Sequence, residues 1–483
     1  MTVASSSSSS LISLNSRRIF SFIMLTTLIY THFKPMLGEQ NRRNQEPCSA
    51  RMNLMYRSDL IIIFLAGICC LPLISFPAYA QTDAAAAQVH LRAADQAYSN
   101  GNYEEFTASL ETAVALNPFS LFTRYNLACG YARTGRDAEA LEILRDLVAA
   151  RIDFGMAQDE DLESLHDNPE FSRLVNTLKR KLQPVLVSEH QFTVDQLGLI
   201  PEGIAIDHES GRTFVGSMRS GDIYVVNAAG QLSKFATVRH DGKLAAIGLA
   251  VDVARSILWA VGTSFDLVED FDPDAPVRSG AFGFDLVTGQ LREKFIADNP
   301  TNGFNDVAVA PSGDIFLSGD TLSIIRTGNS TIEAINTDIQ IYGSNGIAVR
   351  PDGKRIFASS YPVGIAAVHP DSGESYWLDA PADVSLYGID GLYWYEGALI
   401  GVQNGIQPWR LIRMQLNDEQ TTITNVRLIE FANDDLIPTT GAIVGDMIHY
   451  VGQGPQPDSV PIQFPDAIAQ FTGKTIVMAA PLN

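Results

Sequence analysis

The stretch Ser344–Tyr361, SNGIAVRPDGKRIFASSY, has a polar lead-in, a short alternating strand, a turn at Asp352-Gly353 and a second strand ending in small polar residues. The pattern occurs five more times. It reads PEGIAIDHESGRTFVGSM from Pro201, AIGLAVDVARSILWAVGT from Ala246, FNDVAVAPSGDIFLSGD from Phe304, GIDGLYWYEGALIGVQNG from Gly388 and TTGAIVGDMIHYVGQG from Thr439. Ser210-Gly211 and Ser312-Gly313 are further hairpin signals. The copies start 40 to 58 residues apart, room for one four-stranded antiparallel sheet each. Six such sheets around an axis predict an all-β six-bladed propeller, an arrangement that leaves only short sheet edges. The terminal strands, near Gln191 to Leu197 and Gly473 to Ala479, are expected to pair and close the ring.

Aligning the copies places Glu202, Ile247, Asn305, Asn345, Asp390 and Thr440 in one column at the start of the innermost strand. Gly follows in five cases, and Asp306 in the third. Equivalent positions of a propeller meet around its central channel, so Glu202, Asn305, Asn345 and Asp390 are expected to point at a common spot. Any one of them alone is ordinary turn chemistry. Together they are two carboxylates and two amides converging in a partly desolvated channel, which repel or stay unsatisfied unless something positive sits between them. No Lys or Arg occupies the column. Oxygen ligands of mixed charge suit a hard divalent cation, calcium above magnesium, whereas zinc would want His or Cys.

These residues carry a resemblance. From about Gln191 to Leu482 the chain resembles the gluconolactonase, regucalcin and luciferin-regenerating-enzyme-like propellers, relatives of diisopropylfluorophosphatase, paraoxonase and strictosidine synthase. That family holds its catalytic metal with a Glu in Pro-Glu-Gly, an Asn in an Asn-Asp pair, an Asn in Ser-Asn-Gly and an Asp before Gly. Here these are Glu202, Asn305, Asn345 and Asp390, in order and at blade spacing. The resemblance implies hydrolysis of a small-molecule lactone or ester, with Asp390 acting as base toward water or as nucleophile. Two departures matter. Sugar-lactone enzymes carry an Arg two residues before the Asn-Asp pair, where this chain has Gly303; paraoxonases carry a second-blade His, where it has Ile247. The rival readings are a non-catalytic binding propeller, its channel stiffened by the cation, and a carbon–carbon condensing activity.

The second strand of each hairpin returns to the same face, which nominates Arg219, Asp320, Tyr361, Asn404 and Gln453 as substrate-rim residues. His240, in an Arg-His-Asp-Gly stretch before the second-blade strand, reads as a surface-loop residue. His208, His369 and His449 have no partners at ligand spacing, and there is no Gly-rich phosphate loop, Cys-x-x-Cys pair or Gly-x-Ser-x-Gly elbow.

Upstream of the propeller the period changes. Between Ala87 and Phe154 a 34-residue echo aligns Ala97–Tyr103 with Tyr131–Asp137, bringing Gly101 and Gly135 one period apart. Each glycine separates two helical apolar patterns, and Asn117-Pro118 ends the first unit. This resembles a tetratricopeptide repeat pair, with a closing helical stretch to about Leu182. It implies either a groove for a protein or peptide partner or a spacer packed on the next domain, and the sequence leaves both open.

At the N-terminus Arg57 precedes the apolar run LIIIFLAGICCLPLISF, Leu60 to Phe76, followed by Ala78-Tyr79-Ala80. A charged start, an apolar run and a small-x-small site read as a signal peptide cleaved after Ala80, and hence as a periplasmic or secreted protein with no stable membrane span afterwards. Met52 and Met55 lie just upstream of the run and are candidate true starts. The expected domains are 1–80 for targeting, 81–184 for the helical repeats and 185–483 for the propeller. The whole chain carries 34 Lys and Arg against 55 Asp and Glu, a formal charge of −21. Residues 81–483 carry 27 against 52, or −25, which excludes a nucleic-acid binder that must neutralise phosphates. Three of the four cysteines precede residue 81; Cys129 remains and cannot form an internal disulfide.

Overall fold

The computed structural model describes residues 83–194, 196–298, 303–381, 383–454 and 473–483. The signal peptide, its cleavage site and the alternative starts lie outside the described residues. Among those described, no helix is long and apolar enough to cross a membrane.

Five α-helices come first among the described residues: α1 (Ala84–Ser99), α2 (Tyr103–Leu116), α3 (Leu121–Arg133), α4 (Asp137–Ala149) and α5 (Pro169–Lys181). Short polar side chains start four of them: Asp83, Asn102, Ser120 and Asn168 each accept a backbone N–H of the first turn. Gly101 and Gly135 separate the paired helices at φ +71° and +75°, a conformation that glycine reaches without strain. Leu121, Tyr125, Leu141, Leu144, Phe171 and Leu174 build the helical core.

Six four-stranded antiparallel sheets follow, five of them running outward in sequence order from an innermost strand. The inner strands are β2 (Pro201–Asp207), β6 (Ala245–Asp252), β10 (Phe304–Val309), β14 (Ser344–Val349), β18 (Ile389–Tyr395) and β22 (Ile437–Val444). Each abuts the next, and β22 abuts β2, so the blades close into a ring. The last blade is completed by the first strand of the propeller, β1 (Glu189–Val194), which pairs with β24 (Thr475–Pro481) from Glu189 opposite Ala479 to Val194 opposite Thr475. This is the closure expected from the termini. Between neighbouring blades lie apolar layers such as Phe214, Leu258 and Phe282, or Phe357, Leu392 and Leu399.

Hairpin turns are held by local carboxylates. Asp207 accepts from the Glu209 N–H at 3.1 Å, from the Ser210 N–H and hydroxyl, and from Arg212 Nη2 at 3.2 Å. Burial works against its charge, but Ser210 and Arg212 outweigh it and hold the carboxyl below the usual range. Because the folded-state pKa is depressed, this stabilisation is present above the ordinary carboxylate pKa and is lost as pH falls through the folded value. Asp207→Asn is expected to cost about 1–3 kcal/mol, since an amide would turn two N–H bonds toward existing donors. The check is urea denaturation at neutral pH, where the midpoint falls at unchanged slope.

The helical segment rests on the propeller. Arg410, 5% exposed, donates from Nη1 to Ala150 O at 3.2 Å and from Nη2 to Arg151 O at 2.9 Å. Asn117 Nδ2 donates to Pro362 O at 3.1 Å, Asp153 N donates to Gln407 O, and Ile406 is buried within the helical core. Ser344 pairs with Ser360, and Ile389 with Gln403, so the loops beginning at Tyr361 and Asn404 are level with the starts of β14 and β18. The helices therefore dock on the end of the propeller where the residue column begins.

Candidate functional site

Every inner strand is interrupted at the same place. The pairing register shifts between Pro201 and Ile204, Ala246 and Leu249, Phe304 and Val307, Ser344 and Ile347, Ile389 and Leu392, and Pro438 and Gly441. Each interruption contains the residue of the sequence column. A β-bulge bends its strand and re-aims a side chain, and six equivalent bulges around one axis make a polar ring. The glycine after the column residue is demanded by proximity. A Cβ on Gly203 would lie 2.0 Å from Ile247 O, and one on Gly346 would lie 2.4 Å from Asp390 O. Adjacent inner strands are in near contact at the bulges.

The ring brings Asn345 and Asp390 together: Asn345 Nδ2 donates to Asp390 Oδ1 at 3.1 Å, so Oδ1 is the remaining ligand atom of that amide. Glu202 lies close enough to Asp390 and Asp306 for both charges to act on it. Its backbone carbonyl accepts from the Thr440 hydroxyl, and Ile247 completes the column as a buried apolar residue. Asn305 occupies the same register in the third blade, next to Asp306. The side chains of Glu202 and Asn305 have no hydrogen-bond partner among the described residues.

Asp306 is the member that sequence reasoning passed over. It is 8% exposed, and its carboxylate accepts the Val307 N–H at 2.8 Å and the Ile347 N–H at 3.4 Å, which ties the third blade to the fourth. The Asp306 N–H donates to Ser318 Oγ, and the Ser318 hydroxyl in turn bonds Asn345 O. A signal for it existed, since it is the one place where the column's glycine is replaced by a carboxylate. Tyr393 is a second addition: its hydroxyl accepts the Gly441 N–H at 2.6 Å, and the charges of Asp306, Asp390 and Glu202 all act on it.

Burial drives the electrostatics. It pushes Glu202 well above the usual carboxyl range, and Asp390 and Asp306 add like-charge repulsion. Burial lifts Asp390 to about 7 against the pull of hydrogen bonds from Asn404 and Asn345. Asp306 also rises to about 7 through burial, opposed by the Val307 and Ile347 N–H groups. No Lys, Arg or His is among the groups acting on these three. The donor set is all oxygen, with excess negative charge and two unpartnered members. It fits a hard divalent cation and offers nothing to a thiophilic one.

The nominated rim residues divide. Arg219 pairs with Glu269 at 3.4 Å, and Glu269 also takes Lys243 at 2.9 Å, fastening the Asp- and Pro-rich loop after the second blade's hairpin. Asp320 is exposed, its N–H donating to Gly303 O at 3.3 Å. Gln453 is half-buried, with Nε2 unpartnered among the described residues. Tyr361 and Asn404 are not rim residues. They are 9% and 5% exposed and stand behind Asp390, with Asn404 Nδ2 donating to Asp390 Oδ2 at 2.6 Å. Their strands end at the expected face, but their side chains turn between blades.

A separate group of ligand-type atoms, Cys129, Asp159 and Asp161, lies in the helical segment within 4.8 Å. Its acids already have partners: Tyr125 donates to Asp159 at 2.6 Å and Tyr98 to Asp161 at 2.9 Å, with Arg133 3.7 Å from Asp161.

No family model matches the chain, and no curated protein matches it. Among solved structures, a gluconolactonase from Xanthomonas campestris is 15% identical over 60% of this chain and 88% of its own, with a TM-score of 0.41. The calcium-binding protein regucalcin from Agrobacterium tumefaciens is 17% identical over 60% of this chain and 96% of its own, with a TM-score of 0.40. A luciferin-regenerating enzyme is 15% identical over 62% of this chain and 96% of its own, with a TM-score of 0.41. This chain's propeller is similar to theirs in architecture, and its chemistry has to come from its own side chains.

Proposed function

We propose that this chain is an exported, divalent-cation-dependent hydrolase of lactones or related esters, working at the propeller axis. The observation that supports this most is the axial cluster itself: Glu202, Asp306 and Asp390 crowd together with no protein cation among the groups acting on them, while the side chains of Glu202 and Asn305 have no hydrogen-bond partner among the described residues. Glu202, Asn305, Asn345 and Asp390 would hold the cation, calcium above magnesium. When bound, such a cation supplies a Lewis acid that polarises the substrate carbonyl and balances the charge developing on its oxygen.

The chain's own residues do the rest. Asp390 accepts the proton of a water that attacks the carbonyl carbon, or attacks that carbon itself, and either role needs Asp390 ionised. In either case the ester C–O bond breaks and its oxygen leaves as the alcohol after taking a proton; in the second case water then hydrolyses the acyl-aspartate. Asn345 and Asn404 favour that form by donating to its two oxygens. Asp306 braces the bulges of blades three and four through the Ile347 N–H. Ile247 in the second blade leaves no His there to act as a base, which puts the proton transfer on Asp390.

The test is a panel of lactones and aryl esters assayed in calcium and in chelator. Calcium-dependent turnover of at least one member is expected. Metal binding without turnover on any substrate favours the binding propeller, in which the ion stiffens the channel and the helical repeats recruit a protein or peptide. Fractionation and N-terminal sequencing of the expressed chain check export, with Gln81 expected at the mature terminus.

A further inference from the structure

Behind Asp390 the Asn404 amide belongs to a small buried network that reaches beyond its one hydrogen bond to that carboxylate. Asn404 sits in the loop after the second strand of blade five. Its Nδ2 donates both to Asp390 Oδ2, at 2.6 Å, and to Pro438 O of blade six, at 2.9 Å. Its Oδ1 accepts from the Tyr361 hydroxyl of blade four at 3.0 Å. Every hydrogen-bonding atom of the amide is thus used, and turning it over would face Oδ1 toward two acceptors. Three blades meet at this one side chain, and no atom of it is free for substrate.

The surroundings leave the pair little freedom. Gly388 N donates to Tyr361 O at 2.8 Å and Gly405 N to Gly388 O at 3.0 Å, and a Cβ on Gly405 would lie 2.7 Å from the Tyr361 ring. Tyr387 packs beside Tyr361 with ring centroids 6.2 Å apart, and also lies against the helical core. Arg410, Ile406 and Asn117 hold the helices onto these same loops. The helical segment therefore closes the back of the network.

We propose that Asn404 is a positioning residue for Asp390: its amide, oriented by Tyr361 and held in place by the docked helices, sets the plane of the Asp390 carboxylate. Neither Asn404 nor Tyr361 touches substrate; both act through Asp390. The consequence for the cation rests on the reading of Asp390 as a ligand given above. The orientation of the amide does not.

Calcium titration calorimetry on the full chain, without substrate, tests this with Asn404→Ala, Tyr361→Phe and the double variant. Asn404→Ala is expected to weaken calcium binding roughly 10- to 100-fold, as loss of a group orienting a metal ligand does. Tyr361→Phe is expected to weaken it less, and to add nothing in the Asn404→Ala background, because it acts through that amide. Additive losses, or no loss in Asn404→Ala, overturn the proposal. A second readout needs no metal: in 15N–1H spectra of the chelator-treated protein, the Asn404 side-chain amide, assigned by its disappearance in Asn404→Ala, should be protected from solvent exchange and lose protection in Tyr361→Phe. An unprotected amide in the unsubstituted protein, or one unchanged by Tyr361→Phe, also overturns it. If the unsubstituted protein binds no calcium, the metal reading fails, and the amide spectra alone decide the positioning role.

Discussion

Calcium added to chelator-treated protein is expected to raise its thermal midpoint, and to raise it more at pH 8 than at pH 5. The cause is the axial cluster. Asp306 and Asp390, both lifted to about 7, keep their protons in the folded chain over a range where the unfolded chain has lost them. The folded state then binds more protons than the unfolded one, so this cluster's contribution to stability falls as pH rises from the ordinary carboxylate range toward 7. Glu202, raised well above the usual carboxyl range by burial and by the charges of Asp390 and Asp306, adds to the loss. A divalent cation bound there would replace those protons and remove the loss. At pH 5 protons compete with it; at pH 8 they do not. With calcium at 100 times its dissociation constant the stabilisation is about 2.7 kcal/mol. At roughly 2.1 cal/mol/K per residue, a chain of this size should gain about 3 °C. Glu202→Gln separates the terms: in chelator at pH 8 it should melt higher than the unsubstituted chain, because one repelling charge is gone, and it should respond weakly to calcium. An unsubstituted chain whose midpoint is indifferent to calcium at both pH values would end the cation reading.

That cluster shows how far residues alone carry such a molecule. The blades were legible because each inner hairpin repeats one alternating pattern with a turn at its tip, and because the ring puts equivalent positions at equivalent radius. The six bulges were not. A register shift leaves no mark in composition; what showed was the glycine that follows five of the six column residues, which reads as turn chemistry until, at Gly203 and Gly346, the neighbouring backbone is seen 2.0 and 2.3 Å from where a Cβ would stand. Asp306 was hidden by the same assumption, as an exception among glycines instead of a charge at the axis. Tyr361 and Asn404 were placed at the right face and the wrong depth. Alternation gives the face a side chain leaves from, whereas its depth depends on how the loop packs against the next blade and, here, against the helices. That docking has no sequence signature: Arg410 reads as a surface charge, yet it is buried under two backbone carbonyls of the helical segment.

The role of Asp390 gives the sharpest expectation for catalysis. Asp390→Asn preserves volume and removes the one atom pair able to take a proton or attack a carbonyl from this position. On whichever substrate the unsubstituted chain turns over, kcat should fall by roughly 10²- to 10⁴-fold, the usual worth of a positioned base, and further if the carboxylate is the nucleophile. Calcium affinity should also drop, because a charged ligand becomes neutral. Both losses could be confused with unfolding, but the fold makes the opposite forecast. Asp390 sits among Glu202 and Asp306 with no protein cation among them. Neutralising it in chelator at pH 8 relieves repulsion; Asn345 can turn over so that its Oδ1 accepts the new N–H while Asn404 keeps donating to the new oxygen, and the midpoint should hold or rise while turnover collapses. Function and stability then move in opposite directions, as expected where a site stores like charge for a ligand to neutralise. Asp390→Asn with turnover within a few-fold of the unsubstituted chain would take the chemistry away from this residue, and Glu202 and Asp306 would be the next carboxylates to substitute.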